Sequence, residues 1–248
     1  MKTLTTPSNR LIGRLLIAGV IFVMVPYTAL TMIFDYPDIL RQSPGIVLTR
    51  FQEGGATLIF TWWLFAIGGF PLLQAYVLIG QKLEQQNHAV RWATTVGVIS
   101  AITQIIGLLR WPFVVPILAT HYVNTTDPGT KQAIEVVFSA IHQYGGVVLG
   151  EHLGQLFTII YTVLLSRTFA QINLFPRWVS NLGYLASGIY LLAQGDLFAT
   201  VIPNFPSWGL AGLLGSTLWL VWLLIIGVRF MKLPEKLISK TISEVTNA

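Results

Sequence analysis

The chain has 248 residues, 54% hydrophobic and only 10% charged, where a soluble domain carries roughly 25% charged. So low a charge density cannot cover a water-facing surface, and the absence of cysteine excludes disulfides, thiolate nucleophiles and cysteine-based zinc or iron–sulfur centres. The net charge of +5 is scattered through short connections, which points to orientation in a membrane and to anionic headgroups rather than to nucleic acid.

A helix crossing a bilayer needs about 20 mostly apolar residues. Six segments qualify, near 11–34, 56–80, 92–117, 146–167, 177–201 and 207–231. The first follows Lys2, Arg10 and Arg14 and runs on through Tyr27 to Phe34, too far for the apolar region of a cleaved secretory signal, so it is expected to be an anchor and first span. Residues 35–55 surround Ile46-Val47-Leu48 with Asp35, Pro37, Asp38, Pro44 and Gly45, the pattern of a short surface element. Pro71 is expected to kink the second span, and Pro112 the third, just after Arg110 and Trp111.

Before the fourth span, Asp127-Pro128 is a helix start, and Ala133, Ile134, Val137, Phe138 and Ile141 then recur at helical spacing opposite Lys131, Gln132, Glu135, Ser139, His142 and Gln143. This predicts an amphipathic interfacial helix over about 128–144, with Gly145-Gly146 as the hinge into the fourth span. No internal repeat is visible. The fold class is therefore all-α, a polytopic integral membrane bundle of about six transmembrane helices plus the interfacial helix, forming a single membrane domain over 1–248.

Eleven basic residues fall on one side: Lys2, Arg10, Arg14, Lys82, Arg91, Arg167, Arg177, Arg229, Lys232, Lys236 and Lys240. Arg41, Arg50 and Lys131 fall on the other, so the positive-inside rule puts both termini in the cytoplasm. Trp92 and Trp178 are then expected at the inner interface, Trp111 and Trp208 at the outer one.

Polar groups within spans are costly and turn toward the bundle interior. On the fourth span Glu151, Gln155, Thr158, Thr162 and Ser166 share one stripe, beside a second of Gly146, Gly150 and Gly154. The glycines fit close helix packing, whereas the polar stripe serves interhelical bonding and a pathway equally well. The third span carries a matching series, Ser100, Thr103, Gln104 and Gly107, ending at Arg110. At about 1.5 Å per residue, Arg110 lies about 28 Å from Arg91, Glu151 about 24 Å from Arg167 and Asp196 about 28 Å from Arg177. Arg110, Glu151, His152 and Asp196 are thus expected at similar heights in the outer part of the membrane, with Arg110 and Glu151 as an ion pair.

The ligand-binding candidates are Arg110, His142, Glu151, His152, Gln155 and Asp196. No HExxH or HxxxH spacing occurs, so no metal site is assigned, and no cofactor. His88 and His121 are read as loop residues. Three functions are compatible with these residues. The first is binding or transport of a small molecule or lipid at an outward-facing polar cavity. The second is a membrane-embedded hydrolase or transferase using Glu151 with His152 or His142, and the third a structural or assembly subunit. Beyond the lipid bilayer the sequence names no partner and no oligomeric state.

The run His142-Gln143-Tyr144-Gly145-Gly146, continuing to Gly150-Glu151-His152-Leu153-Gly154-Gln155, resembles the central signature of a bacterial multi-pass membrane family, domain of unknown function 4386. Arg110-Trp111-Pro112-Phe113, Gln194-Gly195-Asp196-Leu197-Phe198 and the Gly215-Ser216 to Gly227 segment resemble it too. The resemblance spans nearly the whole chain and implies a bacterial inner-membrane protein. It brings no activity, cofactor or catalytic residue.

Overall fold

Lipid offers no hydrogen bonds to an exposed backbone, so a chain this apolar has to satisfy its own, and helices do so within each segment. The computed structural model describes residues 7–234, so Lys2, Lys236 and Lys240 lie outside the described residues. Its elements are α1 Asn9–Phe34, a 3-10 turn at Asp38–Arg41, α2 Pro44–Ile67, α3 Phe70–Leu83, α4 Val90–Phe113, α5 Val115–Asn124, α6 Pro128–Ile141, a π-helix His142–Leu153, α7 Gly154–Gln171, α8 Arg177–Leu192, α9 Gln194–Ala199 and α10 Ala211–Lys232. Among the described residues there is no strand.

Five helices are long and apolar enough to cross a membrane: α1, the joined stretches Pro44–Leu83, Val90–Asn124 and Pro128–Gln171, and α10. The remaining expected span, 177–201, is interrupted at Ala193 into α8 and the six-residue α9. Large apolar side chains such as Phe22, Met32, Phe60, Phe113 and Ile117 are exposed, an arrangement that lipid tails accommodate and water does not. The protein is a multi-pass membrane protein built as an all-α bundle.

Several local expectations are revised. Gly145-Gly146 is not a hinge: helix continues through it, with the π-helix joining α6 to α7. The surface element in 35–55 is the 3-10 turn followed by the first part of α2, which breaks at Gly55. There φ is +53° and ψ −146°, a conformation that glycine alone adopts without strain. His121 lies on α5 rather than in a loop. Trp111 is fully buried, its ring packed in an aromatic core.

The described residues form two compact units, 7–20 with 71–98 and 158–234, and 21–70 with 99–157. In the first, α8 packs on α10, and Trp222 Nε1 of α10 donates to the Val179 carbonyl at 2.9 Å. Lys82 is buried there and donates to the Pro7 carbonyl at 2.6 Å, and Asn9 Nδ2 donates to the Leu233 and Pro234 carbonyls. Thr162 returns its hydroxyl to the Thr158 carbonyl, so part of the expected polar stripe is bonded within its own helix.

The second unit is organised by aromatic rings. Trp62 stacks on Trp111 with centroids 4.5 Å apart and planes 11° apart, Phe51 stacks on the same indole, and Phe34 meets all three rings edge-on. Phe138 of α6 closes the cluster. Geometries of this kind contribute about 0.5–1.5 kcal/mol per pair beyond area burial. Tyr122 of α5 donates to Glu135 Oε1 of α6 at 2.7 Å, and Arg50 pairs with Asp35 at 2.6 Å.

Candidate functional site

Within the second unit, α4 runs against the π-helix and the start of α7 along the two small-residue series. A Cβ on Gly107 would lie 2.7 Å from both the Gly150 Cα and the Gly145 carbonyl oxygen, so the two backbones touch there without side chains between them. Gly154 faces Gln104 in the same way, and Ser100 Oγ donates to the Gly154 carbonyl at 2.8 Å while accepting from Gln104 Nε2 at 3.0 Å. Gly146 faces Arg110: its Cβ would come within 2.8 Å of the guanidinium carbon. Gly146, Gly150 and Gly154 thus meet Arg110, Gly107 and Gln104 in turn.

The small residues bring Arg110 to lie along the π-helix. The residue is 9% exposed. Nη1 donates to the Gly107 carbonyl, Nη2 faces His142 Nδ1 at 3.5 Å, and the guanidinium carbon sits 5.2 Å from the centre of the Trp111 ring. Arg110 Nε is buried and has no hydrogen-bond partner among the described residues, and neither has Nε1 of Trp62, the indole stacked on Trp111. A buried donor left unbonded costs about 1–3 kcal/mol, and more when it is charged.

Glu151, half-buried, is the carboxylate in electrostatic reach of Arg110. The close ion pairs among the described residues are Arg41–Asp38, Arg50–Asp35 and Arg91–Glu84; the expected Arg110–Glu151 contact is not one of them. The guanidinium instead spends its bonds on the Gly107 carbonyl and the His142 ring. His142 is held by stacking on Phe138, 5.6 Å between centroids and 18° between planes.

The other candidates divide. His152 and Gln155 are half-buried on the same helical run as Glu151, and both have partners. Asp196 belongs to the first unit, where it accepts from the Trp208 amide at 2.9 Å and ties the connection after α9. Among the described residues no three His, Asp or Glu side chains converge as a metal ligand set. Sequence reasoning missed the aromatic wall of Trp62 and Phe138 and the π-helix. The glycine and histidine density of residues 142–154 was the one signal that this run departs from an ordinary span.

A family described as "Domain of unknown function (DUF4386)" matches residues 11–227. No curated protein and no solved structure matches the chain.

Proposed function

The chain belongs to this family of unknown function, and from the surroundings of Arg110 we propose that it binds a compact, acceptor-rich anionic group, a carboxylate or phosphate, carried by a small molecule or a lipid headgroup. One observation carries this reading: a guanidinium buried against an indole, with Nε left unbonded beside a carboxylate that does not close onto it. An anion accepting from Nε would satisfy that donor, since arginine's planar fork suits carboxylate and phosphate oxygens. Glu151 favours a ligand that also presents a hydroxyl or ammonium donor. His152 and Gln155, close to Glu151 in sequence, are candidate contacts for the rest of the ligand. The hydrolase reading uses Glu151 as base with His152 or His142, and the His142 version is disfavoured because its Nδ1 is turned to a group that can only donate.

The Lys and Arg distribution supports both termini being cytoplasmic. Native mass spectrometry of protein released from its own membranes tests the binding reading and separates a lipid from a free metabolite by mass. Wild type is expected to carry an adduct that is lost in Arg110→Gln and weakened in Glu151→Gln. A folded Arg110→Gln variant that keeps the adduct would overturn the proposal, as would a wild type with none.

A further inference from the structure

At one end of the first unit α8 and α10 leave a groove of about 380 Å³, bounded by Trp178, Leu224, Ile225, Val228, Arg229 and Lys232. Its chemistry changes along its length. Leu224, Ile225 and Val228 give an apolar wall on the outward face of α10, one turn long, and Arg229 and Lys232 follow in the last turn of that helix. The Arg229 guanidinium lies 5.5 Å from the centre of the Trp178 ring, which is itself about half exposed.

Arg229 and Lys232 have no acidic partner among the described residues. Two unpaired cations at the end of a membrane-spanning helix, an indole at the same level and an aliphatic trough leading away from them match the parts of one molecule. The cations suit a phosphodiester, the indole the glycerol and ester region, and the trough the start of an acyl chain. We infer that this groove is a binding site for an anionic phospholipid, taken from the leaflet that the basic residues face. It is independent of the Arg110 reading, sharing no residue with it.

Lysine and arginine at a headgroup differ from ordinary basic residues here because Trp178 fixes the Arg229 guanidinium over its ring, so the phosphate meets a preformed donor rather than a free side chain. A zwitterionic headgroup offers the same phosphate with a compensating ammonium, which is repelled by the pair, so discrimination by net charge is expected.

The experiment is native mass spectrometry of full-length protein in nanodiscs containing phosphatidylglycerol or phosphatidylcholine. Wild type is expected to retain one phosphatidylglycerol preferentially. In Arg229→Gln/Lys232→Gln the retention is expected to fall about 30-fold, following roughly 1 kcal/mol for each basic residue near a charged surface. Equal retention of the two lipids by wild type, or unchanged retention by the double variant, would overturn the inference. Val228→Trp, which fills the trough and keeps both cations, provides the second reading if the double variant does not fold. Loss of the retained lipid is expected there, and undiminished retention would count against the site.

Discussion

Nη2 of Arg110 lies 3.5 Å from Nδ1 of His142. Arginine has no lone pair to offer, so the contact requires Nδ1 to be the accepting nitrogen and leaves the proton of the neutral ring on Nε2. The π-helix, the Gly146 gap and the stacked Phe138 all act on this one relationship, and each can be perturbed separately.

Gly146→Ala places a methyl group against the guanidinium, which is pinned by Trp111 behind it. The variant is expected to fold with a loss of about 1–3 kcal/mol, the usual cost of overpacking, and to lose the bound adduct. Thermal unfolding in lipid together with native mass spectrometry checks both. An unchanged adduct would mean that the guanidinium need not stand where it does.

Gly107→Ala tests the backbone contact between α4 and the π-helix. The added carbon would sit 2.7 Å from the Gly150 Cα, with no flexible side chain to give way, so destabilisation of about 1–3 kcal/mol is expected. Gly188 of α8 has nothing within 4 Å of the corresponding position, and Gly188→Ala is expected to leave the unfolding temperature unchanged or raise it slightly. Equal effects from the two substitutions would contradict the packing account.

Trp62→Ala removes the ring stacked on Trp111 from a fully buried site, and a loss of about 3–5 kcal/mol is expected from cavity formation. Trp63, one residue away and exposed, is the control: Trp63→Ala is expected to have little effect on unfolding in lipid.

Asp127 caps α6, accepting from the Thr130 amide at 2.8 Å and its hydroxyl at 2.7 Å, which holds the carboxyl below its ordinary pKa. A depressed folded pKa means that the stabilisation is present above the unfolded value and is lost as pH falls through the folded one. Protection of the Thr130 amide from exchange is expected to drop in acid in wild type. Asp127→Asn should show no such acid-range loss.

The absence of native cysteine makes orientation directly readable. A membrane-impermeant maleimide is expected to label Thr125→Cys in intact cells and Gln85→Cys only after permeabilisation. The reverse pattern would invert the assigned topology.

What the sequence made legible follows from what lipid demands of a chain. Hydropathy pointed to long apolar helices because backbone satisfaction forces helix wherever the chain is apolar, though the stretch 177–201 is interrupted at Ala193, and Asp127-Pro128 announced α6 because capping is local chemistry. The glycine series was readable as a close-packing stripe and Ser100, Gln104, Gly107 and Arg110 as a polar series, while their meeting with each other came from the structure. The burial of Trp111 was not legible because apolar residues lie outside as well as inside a membrane bundle, so hydropathy does not report burial. The π-helix escaped because a 3.6-residue period was assumed through Gly145-Gly146, and wide turns of this kind come from tertiary packing rather than local propensity. The missing Arg110–Glu151 bond has the same origin, since helical depth counting fixes height along the axis and not side-chain approach.

The central claim is that the unbonded Nε of Arg110 is a ligand donor. The most direct test is a cryo-EM structure of the protein in nanodiscs made from its native membranes, read at this side chain. Density for a carboxylate or phosphate group within hydrogen-bond distance of Nε, on the side facing Glu151, is the predicted result. A protein side chain closing onto Nε, or an ordered water alone, would contradict it.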